Sequence, residues 1–134
     1  MGKYQALEAD LFSIFATAAW KAEAINTYPT NFVPAFPGSE FVRISAIPSG
    51  HGPNLNSVSG IFIVDIFISA GEGPSRTSFI ADKLDTYLVG KSIITGAKGV
   101  TQLRDSSLGA GAPDRDNPAL YRTPYTIPFN YFGV

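Results

Sequence analysis

The segment from Gly60 to Gly71, Gly-Ile-Phe-Ile-Val-Asp-Ile-Phe-Ile-Ser-Ala-Gly, constrains this chain more than any other part of it. Read with a period of two, one face carries Phe62, Val64, Ile66, Ile68 and Ala70, all apolar. The other carries Ile61, Ile63, Asp65, Phe67 and Ser69, mostly apolar but interrupted by a charge. A strand with one face in water is polar on that face. This strand therefore calls for cover on both sides. The second cover is either the N-terminal helix or another copy of the chain.

The remaining segments supply what surrounds that strand. A length of 134 residues fits one domain, 1–134, with one core. Tyr4 to about Ile25 has helical spacing, with Leu7, Leu11, Ile14, Phe15, Ala18 and Ala22 inward and Glu8, Asp10, Lys21 and Glu23 toward water. Tyr28-Pro29 through Pro34 reads as an extended connector, because a residue before proline avoids helical geometry. Glu40 to Ile47 reads as a first strand and Ser57 to Ala70 as a second, joined by a long Ser, Gly, His, Pro and Asn tip over 48–56. Pro74 suits the start of a helix whose stripe is Phe79, Ile80, Leu84, Tyr87 and Leu88, and Gly90 ends it. Lys91 to Thr95 and Gly99 to Arg104 read as short strands. Residues 105–118 form a long loop without periodicity. Ala119 to Phe132 reads as the last strand. Its Pro124 and Pro128 lack donors on the same side, which fits an edge or a partner on the opposite side alone.

Composition narrows the function classes. The net charge is -1 with no basic run, which argues against non-specific nucleic-acid binding. No cysteine is present, so disulfides and thiolate metal sites are excluded. No apolar run approaches the roughly 20 residues of a membrane helix. Glu8 and Asp10 interrupt any leader-like apolar region, so no secretory leader is expected.

Candidate chemistry is sparse. His51, the one histidine, lies in a Gly-rich loop with no cysteine nearby, and it reads as a solvated loop residue. Asp105, Asp114 and Asp116 are possible oxygen ligands for a hard cation, but their spacing does not match a calcium loop. Asp114-Arg115-Asp116 reads better as a polar contact patch. No phosphate loop, dinucleotide fingerprint or activated nucleophile is visible. The ladder Tyr121, Tyr125, Phe129, Tyr131 lacks interleaved Lys, which favours core and interface over base stacking. The chain is therefore not expected to be an enzyme, and no metal or cofactor is expected.

The order of these motifs is itself informative. An N-terminal helix precedes Asn31-Phe32-Val33-Pro34, then Phe41-Val42-Arg43-Ile44, a Pro-Ser-Gly loop and the segment Gly60 to Gly73. A helix and short strands follow, and then Tyr121-Arg-Thr-Pro-Tyr-Thr-Ile-Pro-Phe129. This order resembles the tail terminator proteins of long-tailed bacteriophages, the family of the lambda-type minor tail protein that caps the tail tube.

The resemblance covers nearly the whole chain. It implies an α+β fold, a mostly antiparallel sheet with an N-terminal helix and a central helix packed on one face. It also implies a hexameric ring that binds the tail tube protein, stops tube growth and offers a surface to a head-completion or neck protein. DNA can pass through such a ring without sequence-specific contact. The location implied is the head-proximal end of the virion tail, with the host cytoplasm during assembly. The family has no catalytic residues to carry over.

Two sets of residues are candidates for contact. Ile61, Ile63, Asp65 and Phe67 are expected at an inter-subunit interface. His51, Asn54 and Asn56 in one loop, with Asp105, Asp114, Arg115 and Asp116 in the other, are expected to dock onto tube or neck. The rival functions are a neck or head-completion connector and, from another class, a small ligand-binding module.

Overall fold

A computed structural model of the chain describes residues 2–32, 38–94 and 99–133. Helix α1 (Lys3–Ser13) runs through a 3-10 turn (Ile14–Ala16) into α2 (Ala18–Ala22). Strands β1 (Thr27–Pro29), β2 (Phe41–His51) and β3 (Val58–Ser69) follow, then α3 (Ser75–Leu88). Strands β4 (Ser92–Ile93), β5 (Gly99–Leu103), β6 (Ser107–Leu108), β7 (Ala112–Pro113) and β8 (Leu120–Gly133) complete the chain. They form one sheet in the order β1-β2-β3-β8-β5-β4, with β6 and β7 also paired to β8. Only β1 runs parallel to its neighbour; the other pairings are antiparallel. The fold is α+β with a mostly antiparallel sheet, as the sequence implied. Val33 and Pro34 of the expected connector, and Thr95 of the expected short strand Lys91–Thr95, lie outside the described residues.

The β3 pattern sets the core. Phe62, Val64, Ile66 and Ile68 are fully buried on the inner face, with Val42 and Ile44 of β2 and Tyr125, Ile127 and Phe129 of β8 beside them. All three helices close over this face. Phe12 and Phe15 bring their rings to 6.4 and 6.0 Å from Phe62. Helix α3 adds Ile80, Leu84 and Leu88 to the same cluster. Phe79 departs from the expected stripe: it stays 43% exposed, with the Arg76 guanidinium 4.6 Å above its ring. Thr77 and Ala81 take inward positions instead.

The single N-terminal helix expected over Tyr4 to Ile25 is broken at Thr17, which is extended (φ -70, ψ 152). The reason is geometric. Residues five apart lie about 140° apart around a continuous helix, so Phe15 and Trp20 could not both face the core. The break lets them meet edge-to-face at 5.1 Å. Thr17 pays part of the cost by capping α2, its Oγ1 accepting from the Trp20 N–H at 3.2 Å. The Trp20 indole N–H then donates to Thr27 Oγ1 at 2.8 Å.

Asp10 was expected in water but is 3% exposed. Thr101 Oγ1 of β5 donates to its carboxylate at 2.6 Å, tying α1 to the far side of the sheet. A buried carboxylate is tolerated only with such donors.

Three strand assignments change. Pro48 to Gly50 continue β2 through a bulge, so the hairpin tip shrinks and His51 pairs with Val58. Gly60 makes room for that bulge, since a Cβ there would collide with the Ile47 carbonyl oxygen. Tyr28 and Pro29, read as connector, form with Thr27 a parallel edge strand. Strand β8 is central rather than an edge: β3 pairs with it from Ser69↔Leu120 to Val58↔Tyr131. Its prolines face the other side, where the partner is segmented. The carbonyls of Pro128 and Pro124 accept from Arg104 N and Gly109 N, which lie between β5, β6 and β7. A residue's N–H and C=O point to the same edge of an antiparallel strand, so each missing donor falls where the pairing is interrupted.

Two predictions follow from this packing. Phe62→Ala should cost about 3–5 kcal/mol in urea unfolding, whereas Ile61→Ser on the opposite face should stay within about 0.5 kcal/mol; equal costs would contradict a one-sided core. The second concerns alkaline stability. Burial, and then the 2.6 Å hydrogen bond its hydroxyl donates to Asp85 Oδ1, push the Tyr125 phenol well above its ordinary 10.0. A phenol that holds its proton more tightly when folded contributes fully below pH 10 and loses that contribution as pH rises beyond it. Stability should therefore fall above pH 10, and less steeply in Tyr125→Phe; parallel slopes would remove Tyr125 as the cause.

Candidate interaction surface

The outer face of the sheet is built by the alternate residues of the same strands. Register places Phe41, Arg43, Ser45 and Ile47 of β2 beside Phe67, Asp65, Ile63 and Ile61 of β3. These in turn neighbour Arg122, Pro124, Thr126 and Pro128 of β8. The helices lie on the inner face, so the N-terminal helix is not the second cover of β3.

The face has three zones. At the β3 C-terminal end, Phe67 is only 6% exposed and stacks on Phe41 with ring centroids 4.6 Å apart. Leu120 and Tyr28 complete this second cluster. Phe67, expected at an inter-subunit interface, thus finds much of its cover within its own chain. The missing signal was register: Phe41 sits directly opposite Phe67, and the strand boundaries alone do not reveal that.

The middle zone is charged. Arg122 Nε lies 3.0 Å from Asp65 Oδ1. Arg43, directly opposite Asp65, holds its guanidinium 6.0 Å from the rings of both Phe41 and Phe67. Arg43 Nε and Asp65 Oδ1 are shut off from solvent yet make no hydrogen bond. Asp65 is thus held by its ion pair with Arg122, and Arg43 lies over an aromatic floor. Asp114, Arg115 and Asp116 form the wall of this open cleft of about 480 Å³. The structure thus brings one expected docking triplet to the expected interface residue Asp65.

The third zone is apolar and solvent-facing. Ile47 is 49% exposed and Ile61 42%. They are direct cross-strand partners, with Pro128 on the far side of Ile61 and Ile63 half-buried beyond. Phe132 of β8 is also exposed, beside Val100. Sequence reading found Ile61 and Ile63 but not Ile47, Arg43 or Arg122. Alternation along β2 carried that signal, since Phe41, Arg43, Ser45 and Ile47 share one face.

The other candidates lie apart. His51 closes β2 and is exposed. Asn54 is not a loose loop residue: its Oδ1 accepts from Asn56 N and Ser57 Oγ, and its Nδ2 donates to the Gly133 carbonyl. This loop sits at the opposite end of β3 from Asp114–Asp116. Asp105 is exposed beyond β5, next to Ser106, whose hydroxyl donates to Asp85 Oδ1 at 2.5 Å. Among the described residues no three His, Asp or Glu side chains are grouped to hold a metal ion. No helix among them is long and apolar enough to cross a membrane. The surface is a sheet face with an apolar half and a charged half.

Comparison with known proteins yields no matching family model and no matching curated protein. A solved structure superposes with a TM-score of 0.70 over 96% of this chain and 95% of that one, at 16% identity. Its name describes no activity, and identity this low shows a shared fold alone.

Proposed function

We propose that this chain is a structural virion protein that forms a ring on the end of a phage tail tube. There it stops tube polymerisation and offers a surface for joining the head. The reading rests on the resemblance of motif order together with one structural observation. The outer sheet face keeps Ile47 and Ile61 paired in solvent beside a charged cleft, while the centre of the inner face, Phe62, Val64 and Ile66, is buried under the helices. Adjacent exposed isoleucines on a hydrogen-bonded sheet favour burial against another polypeptide. The Arg43, Asp65 and Arg122 group adjoining them supplies orientation, since charges at an interface fix register more than they add affinity.

In this reading Ile61, Ile63 and Asp65 contact a neighbouring copy. His51, Asn54 and Asn56 at one end of β3 and Asp114, Arg115 and Asp116 at the other are the residues available for contact with tube or neck. A connector of the neck or head-completion type uses the same kind of surface and differs in partner.

The test is electron microscopy of particles assembled by the encoding phage with this gene disrupted. Overlong tails are expected. Tails of normal length without heads would move the assignment to a joining protein, and normal complete particles would overturn both. Complementation with Ile61→Asp should fail to restore tail length, although the exposed position leaves the fold intact.

A further inference from the structure

Two features at opposite ends of β3 complement each other. The first is a knob. Leu55 is 91% exposed, more than any other large hydrophobic residue described. Its loop is nevertheless fastened on several sides. Gly52 N and Ser57 N donate to Ser57 O and Asn54 O, and Gly133 N donates to Ser57 Oγ at 3.0 Å. Lys3 Nζ donates to the Leu55 carbonyl itself at 3.1 Å. A loop whose backbone is fixed by this many bonds loses little freedom on docking, as a preorganised anchor does.

The second feature is a hole. A cavity of about 360 Å³ opens between the β3–α3 turn and the β6–β7 segment, with Ile68, Pro74, Leu108 and Tyr121 among its walls and Glu72 at its lip. Gly71 and Gly73 form that turn at φ 88 and 82, leaving the floor free of side chains. The cavity suits a branched aliphatic side chain, and the charges at the two sites are opposite: Lys3 beside the knob, Glu72 beside the hole.

Strand β3 is 12 residues long, so at about 3.3 Å per residue the two features stand roughly 36 Å apart. They cannot meet within one chain. We infer that Leu55 of one copy enters the Ile68–Tyr121 cavity of the next, a head-to-tail contact with Lys3 facing Glu72. Such a contact uses two different patches and generates a ring or a row of subunits. It names a specific joint for the ring proposed above and rests on that reading.

The chain has no cysteine, which makes the test direct. Pro53→Cys and Ser78→Cys, both at exposed positions, place one thiol beside the knob and one beside the hole. Treated with a short bis-maleimide, the double variant should give a ladder of covalent multimers. An equal mixture of the two single variants should stop at dimers. Adding Leu55→Asp to the double variant should lower the yield at least tenfold, as loss of a buried leucine implies. A ladder that is absent, or unchanged by Leu55→Asp, overturns the contact. So does dimerisation of Pro53→Cys alone, which would mean a symmetric joint. If the ladder fails while disruption of the gene still gives overlong tails, this joint is wrong and the terminator reading stands; a ladder with unaffected tails means the reverse.

Discussion

The pairing of β3 along both of its edges is the interaction on which the rest depends. Its register with β2 runs from Phe41↔Phe67 to His51↔Val58, and with β8 from Ser69↔Leu120 to Val58↔Tyr131. A one-residue slip against either neighbour would exchange the two faces of the strand. It would put Asp65 under the helices and Phe62 into water. The buried set Phe62, Val64, Ile66 and Ile68 therefore fixes the register, and the register fixes the outer face. The paired Ile47 and Ile61, the Arg43–Asp65–Arg122 group and the stacked Phe41 and Phe67 all follow from that single alignment.

The helices answer the inner face only. The break at Thr17, the Trp20 indole bonded to Thr27 and the buried Asp10 bonded to Thr101 are all means of fitting the N-terminal segment over one side of the sheet. Among the described residues the outer face receives Tyr28 and Leu120, which close over the Phe41–Phe67 stack, and Asp114–Asp116 beside Asp65. The chain thus buries the centre of one face under its helices and covers the other in part. That asymmetry is what makes an assembly partner the economical account of the exposed isoleucines.

Much of this was legible in the sequence, for identifiable reasons. The inner face of β3 and the helix carrying Ile80, Leu84 and Leu88 follow from strict periodicity, which burial enforces directly. What escaped depends on contacts distant in sequence. Asp10 looks like a solvated helix residue until Thr101, 91 positions away, supplies its donor. Pro124 and Pro128 signal a side lacking donors, but a segmented partner serves as well as an open edge. Strands β6 and β7 are two residues each and carry no period to read. Within the candidate surface, Ile61, Ile63, Asp65 and Asp114–Asp116 were visible as residue types. The cover that Phe41 gives Phe67 becomes apparent only from register.

The central claim is that the outer face of β3 is completed by another copy of the chain. Static light scattering across a wide concentration range measures this most directly. The account predicts a mass that is a multiple of the 14.3 kDa subunit and falls toward it on dilution. A mass of 14.3 kDa at every concentration would contradict it.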